Sequence, residues 1–390
     1  MYRKCKGSKT LKRIAAFLLA GLLLSGVTAG ISAEGEAPPF DVNAKSAVLM
    51  DAETGTVLYN KNGDEALPPA SVTKVMTLLL IMEAVDGGVF SLNDSVTVSD
   101  YAASMGGSQV YLEPGEQMSV EEMLKCVIIA SANDAAVALA EKVSGSVEAF
   151  VQRMNERASE LGMQNTHFEN PTGLDDDVTN HTISAKDIAI MSRELLKHET
   201  ILQYSGIWMD SIRDGAFGLT NTNRLIRFYN GATGLKTGST SKAGFCISAT
   251  AKRDGMHLIA VIMGSPTRDE RNNAAKTLLD WGFAKYCVYT APEGEAGEVA
   301  VKGGISDKVQ TKYTGVTTLL PAGKNKNVTI EIELDTDAAA PVKAGQKLGT
   351  VKFMLDGEAI AETDAVAVSD VPKISYFGVL YRILCRFMLT

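Results

Sequence analysis

Histidine is scarce in this chain of 390 residues. The four present, His167, His181, His198 and His257, never stand four apart as paired helical metal ligands would. They read as structural or surface residues, and no metal centre is expected. G-x-S-x-G, G-x-G-x-x-G and a phosphate-binding Gly-Lys-Ser/Thr loop are all missing, so the common hydrolase, dinucleotide and nucleotide signals are absent. Cysteine is sparse too: Cys5, Cys126, Cys246, Cys287 and Cys385 show no paired spacing, which excludes a disulfide framework and predicts mostly buried, reduced thiols. Positive charge is in deficit, with 38 Lys and Arg against 46 Asp and Glu, net −8. A broad basic surface for nucleic acid is therefore not expected. What remains is an ordinary globular composition, 45% hydrophobic and 22% charged, sufficient for two domains with their own cores.

The amino terminus departs from that average. Arg3, Lys4, Lys6, Lys9, Lys12 and Arg13 precede an apolar run from Ile14 to Val27, and no acid occurs before Glu34. This is the layout of a secretory signal peptide over residues 1–33, and the run is short for a spanning helix. Small residues favour cleavage after Ala33, with Ala29 second; an uncleaved anchor is the alternative. Removal deletes six cations and no acid, taking the net charge from −8 to −14. Cys5 lies before the apolar run, badly placed to carry lipid after cleavage.

Along the rest of the chain, Ser46 to Met50 and Thr56 to Tyr59 predict a hairpin. Helical patterns follow at Ser71 to Val85, Ser119 to Ile129, Asp134 to Val143, Val147 to Leu161 and Ser184 to Leu196. Strands return at Ala243 to Ala251 and Leu258 to Gly264, then a helix from Arg268 to Trp281. That order predicts an α+β fold for residues 38–290. From Ala291 the segments become short and alternating, including Val328 to Leu334 and Val351 to Leu355 with a hairpin signal at Asp356-Gly357, so 291–371 reads as a small all-β domain. The last stretch, 374–390, reads as an amphipathic helix with Phe377, Leu380, Tyr381, Leu384, Phe387 and Met388 opposite Ser375, Arg382 and Arg386.

Three short patterns carry chemistry. Ser71-Val-Thr-Lys74 opens a helix, which sets a hydroxyl near unpaired backbone N–H groups and a lysine on the same face one turn later. Such a lysine takes the serine proton only when burial or nearby cations lower its pKa. Plain N-capping by Ser71 is the competing reading, and Ser239-Thr-Ser-Lys242 matches the same spacing. Ser131-Ala-Asn133 lies between two helices, with Asn133 as a cap or Ser131 and Asn133 as a proton relay and an amide ligand. Lys236-Thr237-Gly238 begins the strand pair after Gly231 and Gly234, as a solvated turn or as a cation and hydroxyl for a substrate carboxylate.

In this order the three patterns match the signature of penicillin-binding proteins and class A β-lactamases. Together with Phe168-Glu-Asn-Pro-Thr-Gly-Leu174, Asn221-Thr-Asn-Arg224 and Asp280-Trp-Gly-Phe283, the chain resembles the low-molecular-weight penicillin-binding proteins that are D-alanyl-D-alanine carboxypeptidases. The resemblance spans the mature chain. It implies an antiparallel sheet with helices, then a β domain and a carboxy-terminal membrane-anchor helix. It also implies Ser71 as acylated nucleophile, Lys74 as base, and Ser131 and Asn133 on the proton path and substrate amide. Lys236, Thr237, Gly238, Ser239 and Arg271 would receive the substrate, with the N–H groups of Ser71 and Ser239 as oxyanion hole. An exposed helix-start arginine is the competing reading of Arg271. Ser239 stands where many relatives carry histidine, and the stretch His181 to Ser184 lacks the family's usual tyrosine.

The function implied is removal of the terminal D-alanine from peptidoglycan pentapeptide outside the cytoplasmic membrane, with β-lactams acylating the same serine and no cofactor. Endopeptidase or transpeptidase activity shares the acyl-enzyme. A β-lactamase would need a deacylating glutamate, and Glu169 lacks the E-x-x-x-N context. A non-catalytic wall-binding module leaves the Ser-Lys pair without a role. For the last helix the choices are the membrane interface, which its apolar face and arginines suit, and packing on the β domain.

Overall fold

The computed structural model describes residues 39–175 and 178–388. The signal-peptide expectation lies outside the described residues. The described chain divides into two compact units, one of residues up to 289 with 317–326, the other of 290–316 and the chain from 327 onward.

The first unit is built on one antiparallel sheet. Strand β1 (Ser46–Asp51) and β2 (Val57–Lys61) form the expected hairpin, and β3 (Ala232–Thr240), β4 (Gly244–Arg253) and β5 (Met256–Ser265) complete the order β3-β4-β5-β1-β2. Ser46 stands opposite Met263, so the beginning and end of the unit share a ladder. β1 is buried over its whole length because both faces are covered: Val48 and Met50 join one core, Ala47 and Leu49 the other. This explains why it reads as an apolar run rather than an alternation.

Among the described residues of this unit, all the α-helices but one lie in sequence between β2 and β3. Helix α1 (Lys74–Asp86) is apolar on nearly every side and sits within the larger core, with α2 (Val120–Lys125), α3 (Asn133–Ser144), α4 (Val147–Glu160) and α5 (Ala185–Leu195) contributing to it. Ser119 and Glu122 form a capping box on α2. Helix α6 (Arg268–Lys285) covers the other sheet face with Ala275, Leu278 and Leu279.

The main departures from the expected elements fall beside the three motifs. Ser71 belongs to a 3₁₀ turn, Ala70–Thr73, that precedes α1 and caps nothing with its side chain. The helix expected through Ile129 changes at Cys126 to a π-turn, ending in a left-handed Ser131 (φ 65°). Asn133 is the first residue of α3, not its cap, because its side chain is used elsewhere. Lys236-Thr237-Gly238 lies in the interior of β3, which begins at Ala232. The turn reading of that motif is thereby corrected.

In the second unit six strands, β6 (Gly294–Lys302), β7 (Lys308–Tyr313), β8 (Thr329–Leu334), β9 (Asp337–Ala339), β10 (Lys347–Leu355) and β11 (Glu358–Ala367), form a sheet in the order β8-β10-β11-β7-β6-β9. β10 and β11 meet at Asp356-Gly357, both at positive φ, as the sequence signal requires. Helix α7 (Tyr376–Met388) closes the described chain, with Tyr376, Phe377, Tyr381, Phe387 and Met388 widely exposed. Arg382 binds Asp307. No helix among the described residues is long and apolar enough to cross a membrane. The four described cysteines are free thiols, Cys126 and Cys246 buried, Cys287 and Cys385 partly so.

Candidate active site

The three motifs converge. A cavity of about 580 Å³ is lined by Ser71, Ser131, Thr237, Gly238, Ser239 and Arg271 among others, with no carboxylate among its lining residues. The first motif comes from a 3₁₀ turn, the second from the end of a π-turn, and the third from the strand that edges the sheet.

Lys74 is fully buried. Its Nζ lies 2.9 Å from Ser71 Oγ, 2.6 Å from Asn133 Oδ1 and 2.8 Å from the Thr172 carbonyl. The Asn133 amide is oriented by its own donor, Nδ2 to the Gly106 carbonyl at 2.7 Å. A neutral lysine has two N–H bonds and one lone pair. Two carbonyl oxygens take the N–H bonds, so the lone pair faces the Ser71 hydroxyl. Burial, and after it the Lys236 cation, drives the Lys74 pKa well below the ordinary lysine range, while Asp134 opposes. After accepting the proton, the ammonium finds three acceptors already in place.

Ser131 N–H donates to the Cys126 carbonyl, and its buried side chain borders the cavity. Asp134 accepts from the Val110 and Leu112 N–H groups, and the Ser108 carbonyl accepts from Asn133 N–H, so the second motif ties down a covering loop. Lys236 is buried with Nζ 2.9 Å from the Thr237 carbonyl, and burial, then Arg271, lowers its pKa to about 7. The Thr237 hydroxyl donates to Thr222 Oγ1 at 2.8 Å. Arg271 is buried, contrary to the exposed reading, and fixed on Asn272 Oδ1 at 2.8 and 3.1 Å. A Cβ on Gly238 would fall 2.8 Å from Ser71 N and 2.9 Å from Pro69 O, so this strand approaches the serine turn as only glycine can.

Several participants carry no role in the sequence reading. The Thr172 carbonyl, Arg224 and Arg268 lie within or beside quoted motifs, yet a backbone acceptor and two rim cations have no side-chain signature of their own. His181, read as structural or surface, is buried and bonded to the serine turn. Ser239-Thr-Ser-Lys242 is a coincidence of spacing: Lys242 binds the Asp175 carbonyl at the exposed surface.

Comparison with known proteins fits this geometry. Residues 32–267 match the family model described as D-alanyl-D-alanine carboxypeptidase, and 285–373 match the penicillin-binding protein 5 C-terminal domain. The chain belongs to the D-alanyl-D-alanine carboxypeptidase family. A family relative, the D-alanyl-D-alanine carboxypeptidase DacF of Bacillus subtilis, is 44% identical over 95% of this chain and 98% of its own length. Among solved structures, penicillin-binding protein 5 from Haemophilus influenzae is similar over 87% of this chain and all of its own, with TM-score 0.77 and 34% identity. Penicillin-binding protein D2 from Listeria monocytogenes, in its ampicillin-bound form, covers 63% of this chain and 100% of its own at TM-score 0.58 and 31% identity. The family fold is thus a penicillin-binding-protein unit followed by an all-β domain.

Proposed function

We propose that this family member is a serine-type carboxypeptidase that removes the terminal D-alanine from peptidoglycan pentapeptide through an acyl-enzyme on Ser71. The observation that carries the reading is the buried Lys74 amine, held by two carbonyl oxygens with its third position on Ser71 Oγ. Lys74 takes the Ser71 proton as Oγ attacks the scissile carbonyl. The N–H groups of Ser71 and Ser239 stabilise the oxyanion. As the C–N bond breaks, Ser131 relays the proton that Lys74 took from Ser71 to the departing D-alanine nitrogen, leaving Lys74 neutral for the deacylating water, and Asn133 meets the substrate amide. Thr237, Lys236 and Arg271 receive the terminal carboxylate, and water then releases the shortened peptide. β-Lactams enter the same path and stop at the acyl-enzyme.

Against a β-lactamase reading, Glu169 is occupied: its carboxylate accepts from Thr179 and Asn180 N–H groups, and it does not line the cavity. A benzylpenicillin pulse followed by peptide mass spectrometry tests the assignment. An adduct on the Ser71 peptide, absent in Ser71→Ala, with D-alanine release by the wild type, is expected; an adduct without release leaves a transpeptidase or sensor, and no adduct refutes the reading.

The site is placed outside the cytoplasmic membrane by residues 1–33 acting as a signal peptide cleaved after Ala33, and at the membrane by α7. The exposed aromatic and aliphatic side chains of α7, Phe377, Leu380, Tyr381 and Leu384 among them, support an interfacial helix. Ending the chain at Lys373 is expected to move the protein to the soluble fraction; retention on membranes after truncation would refute the anchor.

A further inference from the structure

We infer that His181 is a positioning residue for acylation, acting through Thr73 to hold the turn that carries Ser71 and Lys74. The inference rests on the reading of Ser71 as nucleophile. Glu169 N–H donates to His181 Nδ1 at 3.0 Å, so the ring proton resides on Nε2. Nε2 lies 2.8 Å from Thr73 Oγ1 and donates to it, because the Thr73 hydroxyl gives its own proton to the Ala70 carbonyl at 2.9 Å. Ala70 is a left-handed non-glycine residue (φ 49°) directly before Ser71. The chain of bonds therefore ends on the one peptide whose orientation sets where Ser71 points.

The same segment closes on the turn from a second side. A Cβ on Gly173 would lie 1.9 Å from the Ala70 oxygen and 2.7 Å from Thr73 Oγ1, so backbone packs on backbone there. Thr172 supplies the carbonyl to Lys74, and Pro171 supplies one to the Thr77 hydroxyl. Glu169, between Phe168 and the loop it closes, carries the N–H that fixes the imidazole. Phe168 packs edge-on against the ring at 5.9 Å. His181 thus couples the loop that feeds Lys74 to the turn that presents Ser71, without touching the cavity.

Two substitutions separate the halves of this bridge. His181→Gln keeps an N–H donor near the Nε2 position; His181→Asn keeps an acceptor near Nδ1 and loses the donor. In full-length protein, His181→Asn and Thr73→Val are each expected to lower the second-order rate of penicillin acylation about 10²-fold, the scale set by small misplacements of a reacting group. The double variant should fall no further, and His181→Gln should stay within about threefold of wild type, as a donor-for-donor replacement implies. KM for a pentapeptide should change little, since the carboxylate-binding side is untouched. Equal losses in Asn and Gln that follow the thermal midpoint would overturn the inference, as would wild-type acylation in a folded Thr73→Val. If His181→Asn does not fold, Thr73→Val decides alone. Loss of penicillin labelling in the wild type would instead refute the nucleophile assignment.

Discussion

A lysine works as a base here because of what surrounds one nitrogen atom. Lys74 Nζ has three neighbours, two carbonyl oxygens and one hydroxyl, and no carboxylate among its hydrogen-bond partners to hold it charged. Arginine in the same place keeps its charge at any accessible pH and has no lone pair to offer. Lys74→Arg is therefore expected to slow penicillin acylation at Ser71 by about 10³-fold, within the range supplied by general base catalysis. Stopped-flow or gel-based labelling with a fluorescent penicillin measures this directly. Retained acylation in Lys74→Arg would mean that the proton leaves by another route.

Among the elements, the strand and the turn that face each other decide the geometry. Gly238 of β3 packs against Ser71 N and Val72 N at distances no Cβ can share. Gly238→Ala must push the strand away from the turn, costing about 1–3 kcal/mol of stability by overpacking and about 10²-fold in acylation by misplacement. Thermal melts and labelling rates check the two separately. At this scale the legibility of the sequence is uneven. Long periodic helices such as α4 and α5 lie within a residue or two of their expected ends, because capping serines at 146 and 184 mark them. The 3₁₀ turn at Ala70 and the π-turn at Cys126 were not legible, since they are set among tertiary contacts, with Gly173 and His181 at the first and with Thr222 N–H on the Ile129 carbonyl at the second. Ser71, Lys74, Ser131 and Lys236 could be singled out by motif order. Thr172 could not be, because it acts through a backbone oxygen, nor His181, because its partner lies 108 residues away.

For the whole molecule, one buried histidine, His181, and one half-buried, His257, couple stability to acidity. Burial lowers both His181 and His257 to about 4, whereas the unfolded chain titrates them near 6.5. Below pH 6.5 the unfolded state binds protons that the folded state refuses, so stability is kept above that value and lost as pH falls toward 4. The expected slope approaches about 1.4 kcal/mol per pH unit for each proton taken up. Urea melts across pH 4–7 should show it, and His181→Gln should flatten the curve; an unchanged slope in that variant would assign the effect elsewhere. The sheet order bears on how the molecule is made. Because β1 is laddered to β5, the first strand has no permanent neighbour on that side until residues 256–265 exist, and the closing contacts span most of the unit. A chain emerging from the ribosome cannot complete its sheet before Met256 has appeared. The sheet is therefore completed late, and the Ser71 turn and its strand partner come together only when most of the first unit has been delivered.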